Sequence, residues 1–198
     1  YKRQISVFRI SGPNAFLVLK KITKAKVPEN RFASLRRIFW EEEIIDKCIV
    51  IAFNGNDSYS GEKTVEIHCH GSIAIINKIA SILTQCGSEL NIRPAEEGEF
   101  TRQAFYNGKM DLIQVEGLSD LLRAETEAQR KISFDSLDGV ISKKVEVWKS
   151  KIMSILAFLE ADIDFNDQDL GDVGVLSMIS DLLELLKKEL DNFEGLDR

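Results

Sequence analysis

Three charged residues stand in segments of the sequence that are otherwise largely apolar. Arg9 lies within VFRISG, Glu66 within TVEIHCHGS, and Lys109 within FYNGKMDL. Each segment reads as a core element or the flank of one, where an unpaired charge is costly, so each side chain needs a partner. Two interpretations stay open. The three charges pair with one another or with neighbouring charges, or they bind a ligand.

The two histidines form a second candidate site. His68 and His70 are spaced as HxH in a strand pattern, which places both rings on one face of the strand. Such a pair can begin a metal site, but the sequence offers no clear third ligand. The pattern favours a structural or hydrogen-bonded pair, and we predict no metal site.

The segment GEKT, residues 61–64, resembles part of a phosphate-binding loop. In such a loop the lysine follows a glycine directly and a helix comes next. Here a glutamate separates Gly61 from Lys63, and the residues that follow alternate as in a strand. The sequence therefore contains no recognisable site for a nucleoside triphosphate. No residue stands out as a general base, so the catalytic residues stay unknown.

The composition is that of a soluble globular protein. The 198 residues are 44% hydrophobic and 29% charged, which suits one large domain or two small ones. No apolar run approaches the roughly 20 residues that a membrane-spanning helix needs. Cys48, Cys69 and Cys86 are odd in number and far apart, which indicates reduced thiols in a cytoplasmic compartment.

The charges are distributed unevenly along the chain. The net charge is −6, yet residues 1–40 contain ten Lys or Arg residues and one acid, Glu29. A basic segment of this kind can meet a phosphate backbone, or it can simply be a solvated face. Both interpretations stay open.

Strand and helix patterns alternate irregularly up to about Met110. Pro13 suits the first turn of a helix after the first strand, and Ser72 can cap another helix. This alternation predicts a compact domain in which helices pack on a sheet. The predicted strands cover residues 5–10, 36–40, 44–53 and 63–68.

From Asp111 onward the patterns are helical. After Gly139 apolar residues recur at a 4-3-4-3-4 spacing from Ile141 to Leu159, which is typical of a helix in a bundle. Another helix is predicted over residues 174–193. We therefore predict an α/β domain over residues 1–110 and part of a helical bundle over residues 111–198.

Four segments resemble motifs of the MnmE (TrmE) tRNA-modification GTPases, and they come in the same order. The resemblance implies an α+β fold in which a mixed-sheet, aminomethyltransferase-like domain binds folate and dimerises. The first part of a helical domain would follow it, with the GTPase domain expected after Arg198. The four segments are FRISGP, SYSGEKTVEIHCHGS, EEGEFTRQAFYNGKMDLIQVEGLSDLLRAETEAQR and LEADIDF.

The resemblance also implies an activity. Members of this family modify the wobble uridine of certain tRNAs at C5, in the carboxymethylaminomethyl type of modification. They act as homodimers with a flavoprotein, MnmG (GidA). They use GTP hydrolysis and a one-carbon unit from a tetrahydrofolate derivative, 5-formyl or 5,10-methylene. Potassium and magnesium would accompany GTP in the GTPase domain.

By the same resemblance, the folate contacts fall on Arg9, Glu66 and Lys109. A carboxylate such as Glu66 can accept hydrogen bonds from the ring N–H and the neighbouring amine of a pterin. Arg9 and Lys109 would face the acceptor groups or the glutamate tail. Two other classes of protein stay open for this sequence: a stand-alone one-carbon (aminomethyl) transferase, and a non-enzymatic dimeric interaction scaffold.

Overall fold

The structure, a computed structural model, describes residues 4–164 and 173–194. The chain forms two compact units, divided between Leu112 and Ile113. The first contains a four-stranded sheet with helices, and the second consists of helices in its described part. The predicted α+β fold class is confirmed. Within the two described ranges, no helix has the length and apolar character needed to cross a membrane.

The first unit is built on an antiparallel sheet with the strand order β1-β4-β3-β2, so β1 and β2 are its edges. The four strands pair in antiparallel fashion, whereas the resemblance implied a mixed sheet; the parallel pairing that the structure describes is an isolated bridge between Asn30 and Ala52. The strands are β1 (Ile5–Ser11), β2 (Ser34–Trp40), β3 (Glu43–Phe53) and β4 (Thr64–His70), and the helices are α1 (Ala15–Thr23), α2 (Ile73–Leu90) and α3 (Glu99–Tyr106).

The core lies between one face of the sheet and the helices α1 and α2. Alternate strand residues are buried there, as the two-residue period of a strand requires; Val50 and Ile67 are examples. Leu19 and Ile79 pack against them from the helices. The residues in between point to the other side and are more exposed. We call this side the open face of the sheet; it carries Val7, Arg9, Leu35, Ile49, Glu66 and His68.

Two local predictions are confirmed by the backbone. The strands predicted over residues 36–40 and 44–53 are joined by a tight turn between β2 and β3, in which Glu41 has a φ of 53°. Ser72 caps α2 by accepting a hydrogen bond from the backbone N–H of Ile75 at 3.2 Å.

The predicted position of Pro13 in the first turn of a helix is wrong. Helix α1 begins at Ala15, with Asn14 at its N-cap. The backbone N–H of Gly12 still bonds to Lys63 O at 2.9 Å, so the chain stays attached to the sheet until just before the proline. The side chain of Asn14 then donates to Leu90 O at 2.9 Å. Contacts distant in sequence therefore set the start of this helix.

The second unit contains α4 (Leu112–Arg123), α5 (Glu127–Leu137), α6 (Val140–Asp164) and α7 (Val173–Glu194). The long helix predicted after Gly139 and the helix predicted over residues 174–193 are confirmed. In α6, Trp148 Nε1 and Lys151 Nζ both donate to the carboxylate of Glu189 in α7, at 3.1 and 2.7 Å.

A helix break within the first helical stretch was not predicted. Helix α4 ends at Arg123, and α5 starts from a capping box in which Thr126 and Gln129 bond reciprocally. Gly117 lets the two helices approach closely, since a Cβ there would lie 2.7 Å from both Leu137 N and Ser136 Cβ.

Candidate functional site

Arg9 and Glu66 form an ion pair on the open face of the sheet. They lie directly opposite each other on β1 and β4. Arg9 Nε and Nη2 both donate to Glu66 Oε1, at 3.0 and 2.7 Å. Side-chain exposure is 34% for Arg9 and 18% for Glu66, so the pair is largely covered yet still accessible from one side.

The guanidinium of Arg9 also lies near two aromatic rings. Its Cζ is 5.2 Å from the ring centroid of Tyr59 and 5.6 Å from that of Phe100. Both distances are within the range of a cation–π interaction. Tyr59 is in turn joined to α3 by a 2.9 Å hydrogen bond between its hydroxyl and that of Thr101. The guanidinium of Arg9 is therefore held both by its hydrogen bonds to Glu66 and by its contacts with the two rings.

The second oxygen of Glu66 faces His68. His68 Nε2 lies 3.4 Å from Glu66 Oε2, which is longer than an ordinary hydrogen bond. This nitrogen is buried and has no hydrogen-bond partner in the described part of the chain. Because both Arg9 donors use Oε1, Glu66 Oε2 keeps its capacity to accept hydrogen bonds.

Lys109 lies in the segment between α3 and α4, and its side chain contacts the loop between β3 and β4. Its Nζ donates to Asn56 O at 2.6 Å, and nearby Asn107 Nδ2 donates to Ser60 O at 2.7 Å. The same loop carries Tyr59, which contacts Arg9. The structure thus joins Arg9 and Glu66 directly and connects Lys109 to them through a loop.

That loop is held by a network of hydroxyl groups that sequence analysis missed. Ser60 Oγ is 2.6 Å from Ser11 Oγ and 3.1 Å from Thr64 Oγ1, and Ser60 and Thr64 are buried. Gly61 has a φ of +80°, and a Cβ there would lie 2.7 Å from Asn107 Cβ. The small residues around Gly61 in SYSGEKT were the available signal for a tightly held loop. As predicted, this segment leads into a strand.

The histidine pair is divided between two carboxylates. His70 Nδ1 is 2.7 Å from Asp46 Oδ1, while His68 faces Glu66. Asp46 also accepts hydrogen bonds from the backbone N–H of His70 at 2.9 Å and of Lys47 at 2.7 Å. Burial acts to raise the pKa of Asp46, but these hydrogen bonds outweigh it and leave the pKa below its ordinary value. No group of three or more possible metal ligands occurs among the residues described.

The three cysteines are buried and unpaired. Burial raises the pKa of the Cys48, Cys69 and Cys86 thiols, and the carboxylate of Asp46 adds to this for the first two. A thiol with a raised pKa carries little thiolate at neutral pH and reacts slowly. The cysteines are therefore core residues.

A row of side chains crosses the open face beside the ion pair. In the register of the sheet, Leu35 is opposite Ile49, Ile49 is opposite His68, and His68 is opposite Val7. The three aliphatic residues of this row are about half exposed. Adjacent exposed aliphatic side chains on a sheet face are typical of an interaction surface.

A cavity of about 630 Å³ lies beside the edge strand β1. It is bounded by β1, the second half of α2, the segment that follows α2, and α3. Arg9 is part of its wall, and Glu66 and Lys109 are not among the residues that line it. Arg93 at this wall bonds to both carboxylate oxygens of Glu99, at 2.9 and 2.6 Å.

The fold and site define a two-part protein in which an α+β domain with a charged site on its sheet precedes a helical unit. The family model described as "GTP-binding protein TrmE N-terminus" matches residues 1–109. The model of the "MnmE helical domain" matches residues 112–195. The chain belongs to the MnmE (TrmE) family.

Curated relatives agree with this assignment. The chain is 40% identical over 201 aligned positions to the tRNA modification GTPase MnmE of Cereibacter sphaeroides, covering 100% of this chain and 46% of that protein. It is 44% identical to the protein of that name in Roseobacter denitrificans, with coverages of 91% and 41%. The mitochondrial 5-taurinomethyluridine-[tRNA] synthase subunit GTPB3 of Danio rerio is 40% identical, with coverages of 95% and 37%. The chain thus spans less than half the length of these relatives.

Proposed function

We propose that this chain is the part of a tRNA modification GTPase that binds a tetrahydrofolate one-carbon donor and dimerises. The observation that carries the proposal is the Arg9–Glu66 pair, because Glu66 presents an unused carboxylate oxygen on the open face of the sheet. The names of the relatives support a role in tRNA modification.

The chemistry of Glu66 fits a pterin. Arg9 already donates two N–H groups of one guanidinium edge to Oε1. The ring N–H and the exocyclic amine of a pterin form an edge of the same N–C–N type, so Oε2 can accept them in the same way. When bound, the folate would supply the one-carbon unit; the protein's own residues hold and orient it.

Arg9 and Lys109 complete the proposed contacts. Arg9 orients the Glu66 carboxylate through two hydrogen bonds, and its contacts with two aromatic rings limit its movement. Lys109 is exposed, and its ammonium group has donors left beyond its bond to Asn56 O. It can therefore turn to an acceptor group or a carboxylate of the folate. This assignment agrees with the ligand interpretation of the three charges.

The row formed by Leu35, Ile49, His68 and Val7 supports dimerisation through the first unit. A charge placed in such a row would be buried at the interface without a partner. We expect Ile49→Lys to raise the dimer dissociation constant by at least about tenfold, which corresponds to about 1.4 kcal/mol. Sedimentation equilibrium would measure it. Ile73→Lys, at an exposed position of α2, is the control, and equal dissociation constants for the two variants would argue against this surface.

The full-length activity belongs to the same proposal. The whole protein would hydrolyse GTP, with potassium and magnesium, in a domain beyond residue 198. It would modify the C5 position of the wobble uridine together with the flavoprotein MnmG (GidA). The type of modification is expected to be carboxymethylaminomethyl, and the location cytoplasmic.

Calorimetric titration of the chain with 5-formyltetrahydrofolate tests the proposal. We expect saturable binding of one ligand per chain. A folded dimer without folate binding would instead favour the interaction scaffold, for which the aliphatic row is the specific observation. Transfer of the one-carbon unit by the isolated chain would favour the stand-alone transferase.

A further inference from the structure

A cleft of about 530 Å³ is formed by α1, by the segment that follows it and by the end of β3. It shares no lining residue with the cavity beside β1. Its apolar lining residues are buried or half-buried and form its floor, whereas its polar lining residues are exposed and form its rim. The floor consists of Phe16, Val27, Pro28 and Ala52, and the rim consists of Lys20, Lys26, Asn30 and Asn54.

The rim of the cleft carries positive charge that has no partner in the described part of the chain. Lys21 and Lys24 of the same stretch each pair with a glutamate. Lys20 and Lys26 make no ion pair with a described residue, and no carboxylate occurs among the described residues that line the cleft. Ammonium groups gathered at one surface attract anions such as phosphate. The structure thus divides the basic segment into lysines that are neutralised and lysines that remain available to an anion.

The cleft also has features that a free phosphate would not need. Phe16 offers an aromatic ring, and the ammonium group of Lys63 lies 5.7 Å from its centroid. The side chain of Asn30 is held in place, because it donates to Asp57 Oδ2 at 2.6 Å and accepts from the backbone N–H of Asn54 at 2.7 Å. The side-chain amide of Asn54 makes no hydrogen bond within the described residues. Ammonium groups, an aromatic ring and an unused amide match the phosphate, the base and the polar edge of a nucleotide.

We propose that this cleft binds one nucleotide of an RNA, with its phosphate between Lys20 and Lys26 and its base against Phe16. The amide of Asn54 would bond to the base or to the sugar. Because the whole chain has a net charge of −6, a contact with RNA has to be confined to a local basic surface of this kind. This inference rests on the proposed function, because it takes the substrate to be a tRNA. It places an RNA contact on the first unit, at a surface separate from the folate site.

Fluorescence anisotropy of the chain with a labelled tRNA transcript tests the inference. We expect the double variant Lys20→Gln/Lys26→Gln to weaken tRNA binding at least about tenfold, because contacts to phosphate are lost. The slope of log affinity against log salt concentration should also become shallower by about one to two, since each lost contact releases about one counterion fewer. Lys78→Gln/Lys131→Gln removes the same charge from exposed positions that do not line the cleft, and it should change neither quantity.

Phe16→Leu tests the position of the base. It keeps an apolar side chain in the floor of the cleft but removes the ring, so tRNA affinity should fall about fivefold while the salt slope stays the same. Thermal unfolding shows whether each variant is folded. Calorimetric titration with 5-formyltetrahydrofolate should give the same affinity in every variant, because none of the substituted residues belongs to the proposed folate site.

Three results would overturn the inference. They are an unchanged tRNA affinity and salt slope in Lys20→Gln/Lys26→Gln, an equal loss in the control double variant, and no binding of tRNA by the unsubstituted chain. The first of these would leave the two lysines to the solvent or to an acidic protein. An unchanged affinity in Phe16→Leu would overturn the placement of the base. Folate binding by the unsubstituted chain would leave the proposed function in place in each case, whereas its absence would be a failure of the proposed function itself.

Discussion

Glu66→Ala is expected to weaken the binding of 5-formyltetrahydrofolate by about 2–4 kcal/mol, as for a largely desolvated, charge-assisted pair. The substitution removes the proposed acceptor for the pterin N–H groups. It also leaves the guanidinium of Arg9 without the carboxylate to which it donates twice. Calorimetric titration of the variant and the unsubstituted chain under the same conditions measures the difference.

A matched control separates this effect from a general loss of negative charge. Glu43→Ala removes an exposed carboxylate from another strand of the same sheet and should leave folate affinity unchanged. Thermal unfolding of both variants would show that the sheet is intact. If Glu66→Ala binds folate as tightly as the unsubstituted chain, Glu66 does not belong to the site, and the structural interpretation of its pair with Arg9 is the correct one.

Asp46→Ala is expected to lower the free energy of unfolding by about 2–3 kcal/mol, because it removes a buried acceptor and leaves its donors unsatisfied. Asp46 accepts hydrogen bonds from the backbone N–H groups of Lys47 and His70, and from the thiol of Cys48 at 3.4 Å. Its Oδ1 also pairs with the ring of His70. Urea unfolding, followed by circular dichroism, measures the loss.

The lowered pKa of Asp46 gives this contribution a pH dependence. A carboxyl group whose pKa is depressed on folding stabilises the protein fully above its unfolded-state pKa, about 3.9. That stabilisation is lost as the pH falls below this value and through the lower pKa of the folded state. The stability difference between the unsubstituted chain and Asp46→Asn should therefore shrink between about pH 5 and pH 2.

The exposed carboxylate Glu43 again offers a comparison. Glu43→Gln should change the free energy of unfolding little at any pH in this range, since an exposed substitution of this kind usually falls within about 0.5 kcal/mol. A stability difference between the unsubstituted chain and Asp46→Asn that stays constant down to pH 2 would contradict the role given to the Asp46 hydrogen bonds.

Local periodicity predicted most of the strands and helices, but it missed α3. The helix has only eight residues, EFTRQAFY, and in the folded unit Ala104 is its buried member. The helix begins after Gly98, at a φ of +73°. Its first turn is held by Arg93, which bonds to both oxygens of Glu99. A helix of about two turns is too short to give a clear periodic signal.

The candidate site was likewise predictable from the sequence only in part. The charged residues at Arg9, Glu66 and Lys109 were recognised from their apolar neighbours, because an ionised group in such a segment needs compensation wherever the segment folds. Their partners could not be derived in this way. Asn56 O, which receives the Lys109 ammonium group, and the rings of Tyr59 and Phe100 beside Arg9 come from other elements of the fold.

The sequence alone determined the face of the strand on which each charged residue lies, since successive strand residues point to opposite sides. Arg9 lies on the face of β1 opposite to the buried Ile10, and Glu66 lies on the face of β4 opposite to the buried Ile67. Only the tertiary structure decided that they meet. The two residues are 57 positions apart, and the antiparallel pairing of β1 with β4 that sets them opposite each other depends on the packing of the whole unit. The cavity beside β1 has the same origin, because its walls come from β1, α2 and α3, and no local pattern encodes the space between elements.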